Sequence, residues 1–172
     1  MADSVGVEAA RDPDVQALAE HLGQADVLDP AELRELIPSL LILEGVAVRE
    51  SPPFDADGIA ELRAANRRLS ESAGDPAAAA EADDAFHRRL TAACTNAHLL
   101  EVVDLVRKAL LRYERVYMLS RERLARSVEE HEAIVAALDA GDHELAAERL
   151  RLNYTSGLPD LEAQLQDPDS PS

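Results

Sequence analysis

Apolar residues recur every three or four positions along most of the chain, which is the period of α-helices that bury one face. Ala, Leu, Glu and Arg, which favour helix, dominate the composition, while β-branched and aromatic residues are sparse. Proline, glycine and Asp or Asn caps divide the pattern into about seven segments. Helices are predicted over about 13–25, 30–50, 55–74, 76–95, 98–120, 122–139 and 142–165. The pattern therefore predicts an all-α fold, an antiparallel bundle of about seven helices.

Local residue types set the predicted ends of these helices. Asp29-Pro30 opens the second helix and Ser51-Pro52-Pro53 ends it. Asp55 or Asp57 is expected to cap the third. Asn96 is expected to end the fourth, because Asn tolerates the left-handed conformation at a helix terminus.

The helix over 98–120 carries two apolar stripes. One consists of Leu99, Val103, Val106, Leu110, Tyr113 and Tyr117, and the other of Val102, Leu105 and Ala109. A helix that is apolar on two faces is packed on both sides, so this one is predicted to be central in the bundle.

Three helices place polar residues where the helical period calls for apolar ones. Asp83 and His87 lie one turn apart in the fourth helix, His131 lies at the midpoint of an apolar stripe in the sixth, and Asn153 lies within an apolar face of the seventh. Buried polar groups are costly without partners, so these residues are expected to share one interior site. Asp83 and His87 can bind a divalent ion together, with His131 as a third ligand and Asn153 as a weak oxygen donor.

Each of these residues also has a purely structural interpretation. A single His on an apolar face is more often a core residue with satisfied hydrogen bonds, Asp83 can pair with a nearby Arg, and Asn153 can bridge backbone groups. The lone Cys94 excludes an internal disulfide and is interpreted as a small core residue. Residue spacing alone leaves the metal site and the structural cluster both open.

The net charge of −17 opposes binding to nucleic acid or to anionic membranes. The charge is uneven, since residues 85–126 carry nine Lys or Arg against four acidic residues. Either acidic helices neutralise this basic segment, or some of its arginines attract an anionic ligand. The candidate ligand-binding residues are Arg112, Arg115, Tyr113, Tyr117 and Tyr154.

Three stretches carry a resemblance to a known family. They are ELRELIPSLLILEGVAV, EADDAFHRRLTAACTNAHLLEVV and EEHEAIVAALDAGDHELAAERL, in the family's order, within a match over roughly residues 13–155. The chain resembles the ligand-binding FCD domain of FadR-type regulators of the GntR family. The resemblance implies a helical bundle, commonly dimeric, that binds small carboxylates or related metabolites, often over a divalent metal ion held by one Asp and three His.

The resemblance assigns metal ligands residue by residue. Asp83, His87 and His131 match the Asp and the first two His, whereas Asn153 stands where the third His is expected. The expected cofactor is a zinc-, nickel- or manganese-like ion, for which an amide oxygen is a poorer ligand than imidazole. Leu40 stands where the family often has an Arg that can serve the ligand.

GntR regulators carry a winged helix-turn-helix ahead of this domain, but only about a dozen residues precede the match here. No direct binding to nucleic acid is therefore expected of this chain. We expect a flexible segment over 1–12, a helical ligand-binding domain over 13–166 and a disordered tail over 167–172. A cytoplasmic homodimer with no membrane association is expected.

The resemblance favours an effector domain that binds a divalent metal ion and a small molecule. The small molecule is expected to be anionic, a carboxylate or a related metabolite. An alternative is a stand-alone enzyme derived from this fold, for example a metal-assisted lyase, isomerase or cyclase in a biosynthetic pathway. A third is a carrier of a metal or metabolite. No catalytic residue is assigned.

Overall fold

The computed structural model describes residues 28–166, and every regular element in that range is a helix. The helices are α1 (Pro30–Glu50), α2 (Ala56–Glu71), α3 (Pro76–Thr91), α4 (Ala97–Tyr117), α5 (Arg121–Asp139), α6 (His143–Ser156) and α7 (Leu158–Gln166). The all-α prediction is confirmed. The predicted helix over 13–25, the segment 1–12 and the tail 167–172 lie outside the described residues.

Side-chain caps set the beginnings of the helices. Asp29 caps α1 by accepting a hydrogen bond from the amide of Ala31 at 2.8 Å, and Asp55, rather than Asp57, caps α2. The prediction that Asn96 ends the fourth helix is wrong, because its φ is −82° and its side chain accepts from the amide of Leu99 at 3.1 Å. Asn96 therefore begins α4, and α3 ends earlier.

The last predicted helix is divided in two at Gly157. α6 ends at Ser156 and α7 begins at Leu158. Gly157 has an ordinary helical φ of −95°, so its small size rather than its flexibility is what this position uses. A Cβ there would overlap the aromatic ring of Tyr117. Gly157 thus allows the α6–α7 joint to approach α4.

The first six helices form a closed ring in which each packs against two neighbours. α1 packs on α4 and α6, α3 packs on α4 and α2, and α5 packs on α2 and α6. α7 lies against α1 and α6. The apolar interior includes Leu33, Ile37, Leu40, Leu62, Phe86, Leu110, Ile134, Leu138 and Leu150. No helix in the described range is long and apolar enough to cross a membrane.

α4 is one member of this ring and not its centre, so the prediction that it is central is wrong. Its first stripe is buried as expected, with Val103, Leu110 and Tyr113 in the core. The second stripe fails at Val102, whose surface is 46% exposed. An apolar residue on a helix surface is common in soluble proteins and does not require a packing partner.

We predict that Gly157→Ala destabilises the fold by about 1 to 3 kcal/mol, because the added methyl overlaps a packed ring. Urea unfolding of the purified protein measures this change. The matched control is Gly45→Ala within α1, where the new Cβ meets only the flexible end of Arg49 at 3.2 Å. That substitution should be neutral or stabilise by up to about 1 kcal/mol. Equal free energies of unfolding for both variants would contradict the steric role of Gly157.

Candidate metal and ligand site

α3 and α5 bring three potential metal ligands together inside the ring. The Asp83 carboxylate lies 3.7 Å from Nε2 of His87 and 3.5 Å from Nε2 of His131. Donor atoms from these three residues all lie within 4.8 Å of one another, and all three residues are buried. Asp83 and His87 share a face because four residues make about one helical turn. The predicted grouping of the three side chains is therefore present in the fold.

Glu44 on α1 orients the ring of His87. Its Oε2 lies 2.9 Å from Nδ1 of His87 and accepts a further hydrogen bond of 2.7 Å from the Tyr154 hydroxyl. A carboxylate at Nδ1 holds the proton on that nitrogen and leaves a lone pair on Nε2. His87 therefore presents a metal-binding nitrogen toward Asp83.

Asn66 on α2 does the same for His131. The Asn66 amide nitrogen donates to the carbonyl of Val128 at 2.9 Å, and its oxygen lies 3.2 Å from Nδ1 of His131. Nδ1 is then the protonated nitrogen, and Nε2 carries the lone pair. The ring of Phe86 stacks on the His131 ring with centroids 3.8 Å apart and fixes its plane. Nε2 of His131 is fully buried and has no hydrogen-bond partner.

This donor set fits a divalent metal ion. Two imidazole nitrogens and one carboxylate oxygen are ligands that zinc, nickel and related ions accept in proteins. Ligands of a tetrahedral ion with bonds of 2.0–2.1 Å lie roughly 3.4 Å apart, close to the separations of Asp83 from the two rings. Burial, followed by the unfavourable interaction of a protonated His131 with His87 and Arg107, lowers the pKa of His131 well below its usual value and keeps it neutral. A neutral imidazole with an unpartnered Nε2 is ready to bind a cation.

Arg107 on α4 is fully buried behind this cluster, and each of its three guanidinium nitrogens donates to a protein oxygen. Its Nε donates to Asp84 at 2.7 Å, Nη1 donates to Glu44 at 3.0 Å and to Tyr154 at 2.8 Å, and Nη2 donates to Glu114 at 3.3 Å. Each partner except Glu114 comes from a different helix. The guanidinium therefore ties α4 to α1, α3 and α6.

The charges of this network set the ionisation of its acids. Burial alone would raise the pKa of Glu44, but His87 and Arg107, with hydrogen bonds from His87 and Tyr154, lower it to about 2. Burial and the nearby carboxylates raise the pKa of Asp83 despite His87 and Arg107. A bound divalent cation would reverse that shift, because it favours the charged carboxylate.

A cavity opens beside the three candidate ligands. It encloses about 490 Å³ of empty space, which includes the part open to solvent. It is lined by Ile37, Asp83, His87, Leu110, Glu114, Tyr117, Met118, Ser127, Asn153, Tyr154, Gly157, Leu158 and Leu161. The wall is mainly apolar, with polar groups converging from α3, α4, α5 and α6.

Asn153, Tyr117 and Tyr154, three of the residues expected to take part in binding, line this cavity. Asn153 is half-buried, and its amide nitrogen donates to Glu130 at 3.0 Å. Tyr154 and Tyr117 contribute phenol groups from two different helices, α6 and α4. The roles of these three residues stay predictions; Asn153 lines the same cavity as Asp83 and His87.

Arg112, Arg115 and Tyr113 do not line the cavity. Arg112 pairs with Glu32 at the start of α1, and Tyr113 hydrogen-bonds the backbone of Asp29 there at 3.1 Å. Arg115 lies on the exposed surface of α4. A role for these residues in binding an anionic ligand stays a prediction that the lining of this cavity does not support.

Four buried polar residues of the site were missed from the sequence, namely Glu44, Asn66, Arg107 and Glu114. All four carry the same pattern that revealed His131, a polar residue on an apolar stripe. Glu44 lies one helical turn after Leu40, and Asn66 lies one turn after Leu62. Arg107 lies one turn after Val103 and one turn before Leu110. Extending the stripe criterion to α1, α2 and α4 would have found them.

We predict that Glu44 stabilises the fold only above acidic pH. A carboxyl whose pKa falls from 4.5 to about 2 on folding contributes stability above pH 4.5, roughly 3 kcal/mol, and loses it as the pH falls toward 2. Wild type should therefore exceed Glu44→Gln in free energy of unfolding at neutral pH, and the difference should shrink below about pH 4.5. Urea unfolding with a metal chelator present measures it. Glu35→Gln on the exposed face of α1 is the control, and a difference independent of pH would refute the assignment.

Comparisons with known proteins agree with this architecture. The family model of the FCD domain matches residues 35–155. The crystal structure of a GntR-family transcriptional regulator from Pseudomonas syringae pv. tomato str. DC3000 matches with a TM-score of 0.64 and 21% sequence identity, covering 94% of this chain and 71% of that chain. At that identity the likeness concerns the fold. No curated protein matches the chain. The family match spans most of the chain, which therefore belongs to the FCD domain family, generally the effector-binding domain of GntR-type regulators.

Proposed function

We propose that this chain is an effector-binding domain that takes a small molecule into the cavity between α3, α4, α5 and α6, beside a divalent metal ion. Asp83, His87 and His131 are the ligands of that ion. The observation that carries the proposal is the buried, unpartnered Nε2 of His131, which faces Asp83 next to a cavity. A polar atom buried without a partner costs free energy that a bound cation would recover.

The surroundings of the three ligands support the metal over a purely structural cluster. A core histidine normally satisfies both ring nitrogens, whereas His87 and His131 each use Nδ1 to bond a protein oxygen and turn Nε2 toward Asp83. Such outer hydrogen bonds are typical of metal-bound histidines. The ion would supply a Lewis-acidic position for an oxygen or nitrogen of the small molecule.

Asn153 is the proposed fourth metal-side residue. It lies in the cavity wall where the family has a third His, and a neutral amide binds a zinc-like ion weakly. With three strong ligands and one weak one, a coordination position is left for the effector. A zinc-, nickel- or manganese-like ion suits the two imidazoles and one carboxylate.

The effector-binding function is favoured over catalysis because the family to which the chain belongs is generally an effector-binding domain. The metal-assisted lyase, isomerase or cyclase alternative has no such support. A homodimer and a cytoplasmic location remain predictions of the resemblance. Direct binding to nucleic acid by this chain is not expected, given its net charge of −17.

Metal analysis of purified protein tests the ligand set. We expect about one equivalent of a divalent ion per chain, and a loss of affinity of about 100-fold or more in His131→Ala, since a direct ligand is removed. His98→Ala is the matched control, because its side chain is 93% exposed on α4. Metal-free wild type under reconstitution with zinc, nickel or manganese, or equal binding by both variants, would refute the metal site.

Asn153→His gives the same experiment a second arm. Restoring an imidazole at the cavity wall should raise metal affinity above that of wild type, because imidazole is the stronger ligand. Competition against a chelator of known affinity provides the measurement. An unchanged affinity would mean that Asn153 lies outside the coordination sphere, while leaving the other three ligands in place.

Screening metabolites by thermal unfolding tests the effector function. A ligand at about 100 times its dissociation constant should raise the melting temperature by roughly 5 °C or more. Leu158→Trp places a larger side chain at the cavity wall and should abolish that rise, whereas Leu152→Trp on the exposed surface of α6 should not. No stabilising metabolite, or equal stabilisation of both variants, would overturn effector binding in this cavity.

A further inference from the structure

The cavity wall offers acidic groups and an imidazole but no guanidinium or ammonium group. Among the thirteen lining residues, all within the described range, there is neither Lys nor Arg, while Asp83 and Glu114 supply two carboxyl groups. The other polar residues of the wall are His87 and four uncharged side chains, Tyr117, Ser127, Asn153 and Tyr154. A ligand that presents only carboxylates to this wall would find no guanidinium or ammonium to receive them.

Arg107 does not fill that gap. Its surface is fully buried, it is not part of the wall, and each of its three guanidinium nitrogens donates to a protein oxygen. Glu44 and Asp84 already pair with its single charge. An incoming anion would have to break this buried network, which is costly because it leaves charges unpaired.

Glu114 is the polar group of the wall that lacks a full set of partners. It lies on α4, is 8% exposed, and accepts one hydrogen bond of 3.3 Å from Arg107 through Oε1. Oε2 is buried and has no hydrogen-bond partner. Burial and the neighbouring acids Asp83, Asp84 and Glu44 raise the pKa of Glu114 well above its usual value, although Arg107 lowers it. The site thus holds a carboxyl group with one unpartnered oxygen, and its ion pair with Arg107 is shared with Glu44 and Asp84.

Asp83 and Glu114 have different places in the site, since only Asp83 belongs to the candidate metal cluster. The Asp83 carboxylate faces both histidine rings and is the anionic ligand of the proposed metal ion. Glu114 is not among the residues whose donor atoms form that cluster. Glu114 nevertheless lines the cavity, and its Oε2 has no protein partner to give up.

We propose that Glu114 recognises a positively charged nitrogen of the ligand, so that the effector class is amines or amino acids rather than simple carboxylates. This rests on the proposed function, since it names the ligand of the same cavity. An ammonium donates to the free oxygen and supplies a positive charge to a wall that is otherwise mainly apolar. Where a carboxylate is also present on the ligand, the metal end is the place for it, away from Glu114.

Three probes of equal chain length test this ligand class, namely 1,4-diaminobutane, 4-aminobutanoate and butanedioate. They share four carbons and differ only in the charges at their ends. Titration calorimetry and thermal unfolding of the metal-loaded protein should show binding of at least one of the two amines and weaker or no binding of butanedioate. Glu114→Gln should weaken amine binding about tenfold or more, because a charge-assisted hydrogen bond is lost.

The Gln variant keeps an amide oxygen for Arg107 and replaces only the carboxyl oxygen that has no hydrogen-bond partner, so it is expected to fold. Its metal content and its melting temperature without probe verify this. Glu101→Gln is the control on the same helix, because that side chain is 77% exposed. It should leave the binding of all three probes unchanged.

Other outcomes separate this inference from the proposed function. Tighter binding of butanedioate than of either amine, or amine binding that is equal in wild type and Glu114→Gln, would overturn the role of Glu114. Binding of none of the three would do so as well. After any of these results, a metabolite that stabilises wild type but not Leu158→Trp would still support effector binding in the cavity. If no metabolite does so, both effector binding and the role of Glu114 are overturned.

Discussion

The rest of the structure depends on one buried cation, the guanidinium of Arg107. Placing this charge inside a ring of apolar helices is unfavourable unless every donor finds an acceptor. Glu44, Asp84 and Tyr154 accept hydrogen bonds from the guanidinium on α1, α3 and α6, and Glu114 accepts one within α4, so pairing the charge also fixes where these helices stand around α4. The ring cannot rearrange without leaving a buried ion unpaired. Fold and site therefore share the same constraint.

That constraint reaches the candidate metal ligands through Glu44. The carboxylate that accepts from Arg107 through Oε1 uses Oε2 at Nδ1 of His87. Holding the proton on Nδ1 exposes the Nε2 lone pair toward Asp83. Glu44, on a different helix from His87, thus decides which ring nitrogen of His87 can bind a metal ion. On the other side of the site, Asn66 and Phe86 perform the equivalent positioning for His131 through a hydrogen bond and ring stacking.

The sequence was sufficient for most of the fold and for the first ligands, and insufficient for their surroundings. Helical period and caps predicted the helices from Pro30 onward because these effects are local. Asp83, His87 and His131 were identified because each interrupts an apolar stripe. The break at Gly157 depends on contact with Tyr117, distant in sequence. Similarly, the partners of Arg107 depend on helix order around the ring, which residue periodicity does not encode.

Leu40 and Glu114 affect the ligand preference of the site in the same way. Leu40, where the family often has an arginine, is fully buried in the apolar core. The cavity wall contains neither Lys nor Arg, and Glu114 adds a carboxyl with an unpartnered oxygen. Leucine in place of the family arginine removes a positive charge, and Glu114 keeps a buried carboxyl. Both make the site less favourable for anionic ligands. A shared bundle and ligand scaffold can therefore serve a ligand of opposite charge, because the bundle is held by Arg107 and not by the groups that face the cavity.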